Sequence, residues 1–184
     1  MKGVLSKWVL RVLGWKIKGS LPPDIKKCIL VAAPHTSYWD FLIARLTFYY
    51  MHVNVRFLIK KELFKFPFKR YIKWIGCIPV DKSNSKKAIF SAVAAIHKYD
   101  TIHLVITPEG TRKYTNRWKK GFYFIAVHAN IPMVLTYVDY AKKEGGFGPL
   151  IYPSGNFDKD FAQIEQFYST ITAKYPENFN LSPK

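Results

Sequence analysis

The sequence predicts an α/β fold, a single domain in which a mixed, largely parallel sheet is flanked by helices, with an amphipathic helix at the N-terminus. Short apolar runs typical of buried strands alternate with longer segments of helical periodicity, and this alternation indicates the fold class. The chain has 184 residues, enough for one domain to bury a continuous hydrophobic core. With 49% hydrophobic and 22% charged residues, the composition is that of a folded chain and excludes disorder.

The net charge of the chain is +17, because 29 Lys and Arg residues stand against 12 Asp and Glu residues. A field of this size attracts an anionic partner. Nucleic acid, an anionic membrane surface and a phosphorylated small molecule all fit that description, so charge alone leaves these three classes open.

The first segment predicts an amphipathic helix over residues 1–20, ahead of a main domain over residues 21–184. Its apolar positions are Leu5, Trp8, Val9, Val12 and Leu13, and its basic positions are Lys2, Lys7, Arg11, Lys16 and Lys18. Two interpretations stay open, a helix lying in a membrane interface and a helix packed on the domain. Trp8 and Trp15 favour the interface. The chain has no secretory signal pattern and no apolar run of the ~18 residues that a spanning helix needs, so we expect a peripheral, monotopic protein on the cytoplasmic face of a membrane.

The remaining elements follow in order after a turn at residues 21–24. Each strand is a short run of mainly β-branched and apolar residues, and each helix is a longer segment with apolar residues three or four positions apart. Strands are predicted at 28–33, 55–59, 77–80, 102–107, 132–138 and 149–152, and helices at 37–51, 62–74, 84–99, 118–129 and 158–174. Cys28 and Cys77 fall in two of these strands and form no CxxC pair, which favours buried thiols in a reducing cytoplasm over a disulfide or a zinc site.

Two polar clusters each follow directly on a predicted strand. Residues 34–40 read Pro-His-Thr-Ser-Tyr-Trp-Asp, and residues 108–112 read Pro-Glu-Gly-Thr-Arg. In open α/β sheets the ligand crevice lies outside the carboxyl ends of the strands. We therefore expect His35 and Glu109 to belong to one site.

His35 and Asp40 are candidates for general-base chemistry. Five residues on a straight helix separate two side chains by about 140°, so the pair can meet only if His35 stands on the turn before the helix. Asp40 would then orient the imidazole to deprotonate an alcohol attacking a thioester. The alternative is a structural histidine, and we interpret His52, His97, His103 and His128 in that way. Ser37 is expected to cap the helix, and no metal-binding pattern is found.

Two basic segments are candidates for anion binding. Glu109, Gly110, Thr111 and Arg112 offer backbone amides, a hydroxyl and a guanidinium, a set that suits a phosphate, although the carboxylate of Glu109 is unexpected there. Residues 60–70 interleave lysines with aromatic residues and could meet phosphate, an anionic membrane or single-stranded nucleic acid. The amphipathic start of the chain favours lipid, so a nucleic-acid partner is not expected.

The order of these motifs resembles the glycerolipid acyltransferase family, whose best-known members are the 1-acylglycerol-3-phosphate acyltransferases. The resemblance rests on a His-x4-Asp motif at His35 and Asp40 and on the Glu-Gly-Thr-Arg block at 109–112. It extends to Lys-Lys-Glu-Leu at 60–63, Gly-Cys-Ile-Pro-Val-Asp-Lys at 76–82 and Ile-Pro at 131–132. Two positions depart from the family pattern, since Pro34 stands where Asn is frequent and Lys82 where Arg is frequent.

The resemblance implies roles for individual residues. His35 would be the general base and Asp40 its orienting partner. Substrate binding would involve Lys60, Lys82, Glu109, Gly110, Thr111 and Arg112, with Gly110 and Arg112 at the acceptor phosphate.

The implied reaction moves a fatty acyl group from acyl-CoA or acyl-carrier protein to a lysophospholipid, in the simplest case 1-acylglycerol 3-phosphate, giving phosphatidate. No metal or bound cofactor is implied. Two alternatives stay open, another lipid acceptor such as an N-acyl amino-acid lipid, and a non-catalytic module that binds an anionic membrane or nucleic acid.

Overall fold

The structure of the chain, a computed structural model, describes residues 1–63, 67, 69–81 and 83–181. Its helices are α1 (Lys2–Val12), α2 (Tyr38–Tyr50), α3 (Lys69–Trp74), α4 (Ser85–His97), α5 (Gly121–Ala129) and α6 (Phe157–Tyr168), with 3-10 turns at Lys61–Leu63 and Pro176–Asn178. Its strands are β1 (Lys16–Lys18), β2 (Lys27–Ala32), β3 (Val55–Lys60), β4 (Cys77–Val80), β5 (Ile102–Ile106), β6 (Met133–Asp139) and β7 (Glu144–Ile151).

The strands form one sheet in the order β1-β7-β6-β2-β5-β3-β4. Neighbouring strands are parallel except β6 and β7, which pair antiparallel. The predicted fold class, a largely parallel mixed sheet flanked by helices, is therefore confirmed. Because β2 lies between β5 and β6, the chain segments that leave the carboxyl ends of these strands start side by side.

Helices cover both faces of the sheet, and the central strand is buried on each of them. Ile29 and Val31 of β2 join the cluster under α4, α5 and α6, whereas Cys28 and Leu30 join the cluster that contains Phe48 of α2. A strand buried on both faces reads as a continuous apolar run, as β2 does. The sheet therefore holds the β2–α2 turn between two packed layers.

Helix α1 packs against α2, and two of its three buried residues are small. Gly3, Ser6 and Leu10 are its buried positions. A Cβ atom at Gly3 would lie 2.8 Å from the ring of His52, so the missing side chain permits the close approach. Within the described residues, no helix has the length and hydropathy to cross a membrane. The proposed division of the chain at residue 20 stays a prediction, and within that segment the helix ends at Val12 and β1 joins the sheet.

Several predicted elements differ from the observed ones. Strand β1 was not predicted, and β7 begins at Glu144, five residues before the predicted strand at 149–152, because its first half is rich in glycine. Helix α6 ends at Tyr168, where the predicted helix continued to 174. The helix predicted over 62–74 is a 3-10 turn and the short α3, and residues 64–66 and 68 lie outside the described part of the chain.

Candidate active site

The turn between β2 and α2 is shaped by hydrogen bonds to two side chains of its own sequence. Ser37 is the N-cap residue of α2, and its hydroxyl accepts the N–H of Trp39 at 3.1 Å. The Asp40 carboxylate reaches back, and its Oδ2 accepts the N–H groups of Thr36 and Ser37, both at 2.7 Å. This capping box satisfies amides that the first helical turn leaves without partners. The prediction of Ser37 as a cap is confirmed.

The same carboxylate meets the imidazole of His35. Asp40 Oδ2 lies 3.6 Å from His35 Nδ1, longer than a hydrogen bond but close enough for a direct electrostatic contact. The Asp40 side chain is 6% exposed and that of His35 is 18% exposed. With Nδ1 against the carboxylate, Nε2 is the ring nitrogen left to accept a proton. Contacts of this kind are frequently long in enzymes without substrate and shorten on binding.

Glu109 holds the backbone of His35 from the loop that follows the neighbouring strand β5. Its Oε1 accepts the His35 N–H at 2.8 Å, so the two polar clusters meet as their placement after strands predicts. The residue is 3% exposed, and within the described residues its Oε2 has no hydrogen-bond partner. Burial raises the pKa of Glu109 to about 7, while the bond from His35 acts in the opposite direction.

The rest of the 109–112 block forms a turn beside this contact. Gly110 has φ +65°, and a Cβ atom there would lie 2.7 Å from Nζ of Lys119, so the glycine leaves room for that ammonium group. Thr111 Oγ1 accepts the N–H of Lys113 at 3.2 Å. The guanidinium of Arg112 stacks on the ring of Tyr38, with Cζ 3.8 Å from the ring centroid. Stacking orients the planar guanidinium and leaves its N–H edge able to meet an anion.

A cavity of about 1350 Å³ opens beside these residues. Its polar wall includes His35, Asp40, Thr107 and Gly110, and basic residues also line it. The basic lining residues are Arg45, Arg117, Lys119 and Lys120. Its apolar wall includes Phe41, Ala44, Phe48, Phe57, Val105, Ile106, Phe122, Ile125 and Val138. A space of this size with apolar and basic lining residues suits a ligand that combines a long apolar part with an anionic group.

A family model described as Acyltransferase matches residues 16–139, about two thirds of the chain. The chain belongs to the acyltransferase family. Its structure is similar to that of the 1-acyl-sn-glycerophosphate acyltransferase PlsC from Thermotoga maritima, with a TM-score of 0.59. The two proteins share 19% identity, over 89% of this chain and 73% of that chain, so this likeness concerns the fold. No curated protein matches the chain in sequence.

Not every residue predicted to bind substrate of this acyltransferase lies at the cavity. Lys60 ends β3, is exposed, and is outside the cavity wall as described. Its neighbour Lys61 pairs with Asp81 at 3.0 Å. Lys82 lies outside the described residues, as does part of the basic segment 60–70. Of the other predicted residues, Gly110 lines the cavity, whereas Glu109, Thr111 and Arg112 are outside its wall. The substrate-binding roles of all six residues stay predictions.

Two residues of the site were missed by the sequence reasoning. Arg45 lines the cavity, and its Nη2 donates to the hydroxyl of Tyr49 at 2.8 Å. As the lone basic residue of the apolar helix α2, it carried a signal that could have been used. Tyr140, which follows β6, donates its hydroxyl to Asp40 Oδ1 at 2.8 Å. A single tyrosine a hundred positions away gives no local sign of such a contact.

The other histidines and the cysteines take no part in this geometry. His103 Nε2 lies 3.1 Å from the carbonyl oxygen of Ile25, in keeping with a structural histidine. Cys28 and Cys77 form no disulfide, and burial raises the pKa of the Cys28 thiol to about 12. Among the described residues, no group of three or more His, Cys, Asp and Glu side chains could hold a metal ion.

The buried carboxyl of Glu109 predicts a pH dependence of stability. Between pH 4.5, the ordinary pKa of a glutamate, and about pH 7, the unfolded chain has lost the proton of Glu109 while the folded chain keeps it. The free energy of unfolding therefore falls as pH rises through that window, by roughly 3 kcal/mol. We expect Glu109→Gln to remove this loss, so that the variant gains stability relative to the wild type as pH rises, as measured by urea unfolding across the window.

The matched control is Glu177→Gln, because the carboxylate of Glu177 is exposed. Its stability curve should run parallel to that of the wild type. Parallel curves for Glu109→Gln as well would contradict a raised pKa at Glu109.

Proposed function

We propose that this acyltransferase moves a fatty acyl group from acyl-CoA or acyl-carrier protein to the free hydroxyl of a lysophospholipid, in the simplest case 1-acylglycerol 3-phosphate. The observation that carries the proposal is the contact of His35 with buried Asp40 in the wall of a cavity that is lined by both apolar and basic residues. The activity named for the similar structure, a 1-acyl-sn-glycerophosphate acyltransferase, supports the choice of acceptor.

The reaction needs one base and no covalent enzyme intermediate. His35 Nε2 accepts the proton of the acceptor hydroxyl as its oxygen attacks the carbonyl carbon of the thioester. Asp40 stabilises the imidazolium that forms. When the tetrahedral intermediate collapses, the carbon–sulfur bond breaks, the thiolate leaves, and the imidazolium returns a proton to it. The products are the acylated lipid and a free thiol.

The acceptor phosphate would meet the basic side of the site. Arg112 offers a planar guanidinium already oriented by Tyr38, and Lys119 places its ammonium group over Gly110. Charged hydrogen bonds of this type recognise phosphate oxygens in a defined geometry. An N-acyl amino-acid lipid would use the same base and hydroxyl chemistry but would not need Arg112 for a phosphate. Whether acyl transfer depends on Arg112 therefore distinguishes the two kinds of acceptor.

We also propose that the protein acts at a membrane surface through α1. Met1, Val4, Leu5, Trp8 and Val12 fall within an arc of about 100° on the helix. All five are exposed, and Leu5 and Trp8 are each 63% exposed. An apolar stripe turned away from the protein, with basic residues on the same helix, is the pattern of a helix in an anionic membrane interface. We expect the helix to lie on the cytoplasmic face of the membrane.

The role of His35 as the general base can be tested by removing its imidazole. His35→Ala should lower turnover by roughly 100-fold to 10,000-fold, measured as acceptor-dependent release of free thiol from palmitoyl-CoA or acyl-carrier protein. His97→Ala, at an exposed position at the end of α4, is the matched control and should keep wild-type turnover. Wild-type activity in His35→Ala would contradict the proposed mechanism.

The role of Arg112 at the acceptor phosphate can be tested by comparing two acceptors. Arg112→Ala should raise the KM for 1-acylglycerol 3-phosphate by at least about tenfold and leave the KM for a phosphate-free monoacylglycerol nearly unchanged. Arg56→Ala is the control, since Arg56 also stacks on an aromatic ring, that of Tyr99, with a distance of 5.5 Å to its centroid. Equal losses on both acceptors would contradict the phosphate role and favour the other lipid acceptor.

Membrane attachment through α1 can be tested by placing a charge in its apolar stripe. Trp8→Glu should sharply reduce co-sedimentation with vesicles that contain phosphatidylglycerol, because it places a charge in the apolar stripe. Phe90→Glu introduces the same charge on α4, at a residue that is also 63% exposed, and should leave sedimentation unchanged. If both variants bind as the wild type does, α1 is not the attachment site.

A further inference from the structure

Tyr140 lies at the carboxyl end of β6, beside the β2–α2 turn, and contacts the catalytic carboxylate proposed above. Its hydroxyl donates to Asp40 Oδ1 at 2.8 Å. The other carboxylate oxygen, Oδ2, accepts the N–H groups of Thr36 and Ser37 and faces His35 Nδ1. Tyr140 therefore binds the oxygen that the helix cap does not use.

The contact decides how the carboxylate is turned. The terminal torsion of an aspartate side chain is broad, so the two backbone bonds locate Oδ2 without fixing the plane of the group. A donor on Oδ1 fixes that plane. Since His35 lies 3.6 Å from Oδ2, even a modest rotation of the carboxylate changes the contact with the imidazole.

Tyr140 is itself held in place. Its ring meets that of Trp15 edge to face, with 5.2 Å between the centroids. Its backbone N–H donates to the carbonyl oxygen of Thr172 at 2.9 Å. Burial, and after it the hydrogen bond to Asp40, raises the pKa of the Tyr140 hydroxyl above its ordinary value, so the group stays a donor at any pH used for assay. Tyr140 is not among the residues that line the cavity, whereas Asp40, which it contacts, is one of them.

We propose that Tyr140 is a positioning residue for acyl transfer, whose hydroxyl orients the Asp40 carboxylate and through it the imidazole of His35. The inference rests on the roles proposed above for His35 and Asp40. It predicts an effect on turnover without an effect on substrate binding, because Tyr140 acts on the dyad and not on the ligands.

The first test is Tyr140→Phe, which removes the hydroxyl and keeps the ring against Trp15. We expect kcat to fall about tenfold, as for the loss of one hydrogen bond to a charged group, with the KM of donor and acceptor within about twofold of the wild type. Tyr152→Phe is the matched control, since Tyr152 is 64% exposed, and it should keep the wild-type kcat. An unchanged kcat in Tyr140→Phe would overturn the proposal.

A double-mutant cycle separates positioning from a structural role. Asn at position 40 can keep the backbone bonds of the cap but lacks the charge that supports the imidazolium. If Tyr140 acts through Asp40, Tyr140→Phe should cause no further loss of kcat in the Asp40→Asn protein. An equal loss in both backgrounds would show that Tyr140 acts elsewhere and would overturn the proposal. Thermal unfolding of the four proteins checks that the fold is kept.

The role of His35 as general base and the role of Tyr140 can be rejected separately. Full activity in His35→Ala would remove the general base, and with it the role of Tyr140. Loss of activity in His35→Ala together with wild-type kcat in Tyr140→Phe would keep the general base and reject Tyr140 alone.

Discussion

The site depends on the carboxylate of Asp40. It accepts hydrogen bonds from two backbone N–H groups in the turn before α2 and from one tyrosine hydroxyl beyond β6. It also faces the imidazole of His35. The carboxylate that completes the capping box of α2 is therefore also the group that would support the base. This double use explains how His35 and Asp40 can meet although a straight helix would separate them, because the turn folds the chain back onto the first helical turn. A substitution that removes the accepting oxygens of Asp40 is consequently expected to change both the local fold and the chemistry.

The two carboxyl groups of the site lie in different surroundings and serve different purposes. Asp40 is surrounded by donors. Glu109 is buried, and within the described residues it accepts a hydrogen bond at one of its two carboxyl oxygens. Its charge is disfavoured by burial, which raises the pKa of Glu109 to about 7. The hydrogen bond that the His35 N–H donates to Glu109 does not need the charge, since either form of the carboxyl can accept it. The contact explains why an acidic residue stands in a basic loop, because Glu109 faces the backbone of the β2–α2 turn.

Patterns with a local cause could be predicted from the sequence. Strands β2 and β4 and helix α2 lie within one residue of their predicted bounds, because buried apolar runs and a capping serine are visible locally. The placement of His35 near Glu109 also followed, since both stand at the ends of strands. Strand β1 and the first half of β7 could not be predicted, because three residues and a glycine-rich run carry little strand propensity. Tyr140 could not be predicted either, since its contact with Asp40 is created by the strand order alone.

The topology also relates the proposed membrane helix to the site. Gly3 of α1 lies near His52, just beyond α2, while Leu10 shares a cluster with Ile43, in the first half of α2. The two helices therefore run antiparallel, and α1 ends close to the turn that carries His35 and Asp40. Tyr38 and Trp39, at the start of α2, are 75% and 52% exposed. If α1 lies in the interface, these amphipathic rings are at the end of α2 nearest the site, where such rings favour the head-group region. A lipid acceptor could then present its hydroxyl to His35 while its acyl chain remains in an apolar environment.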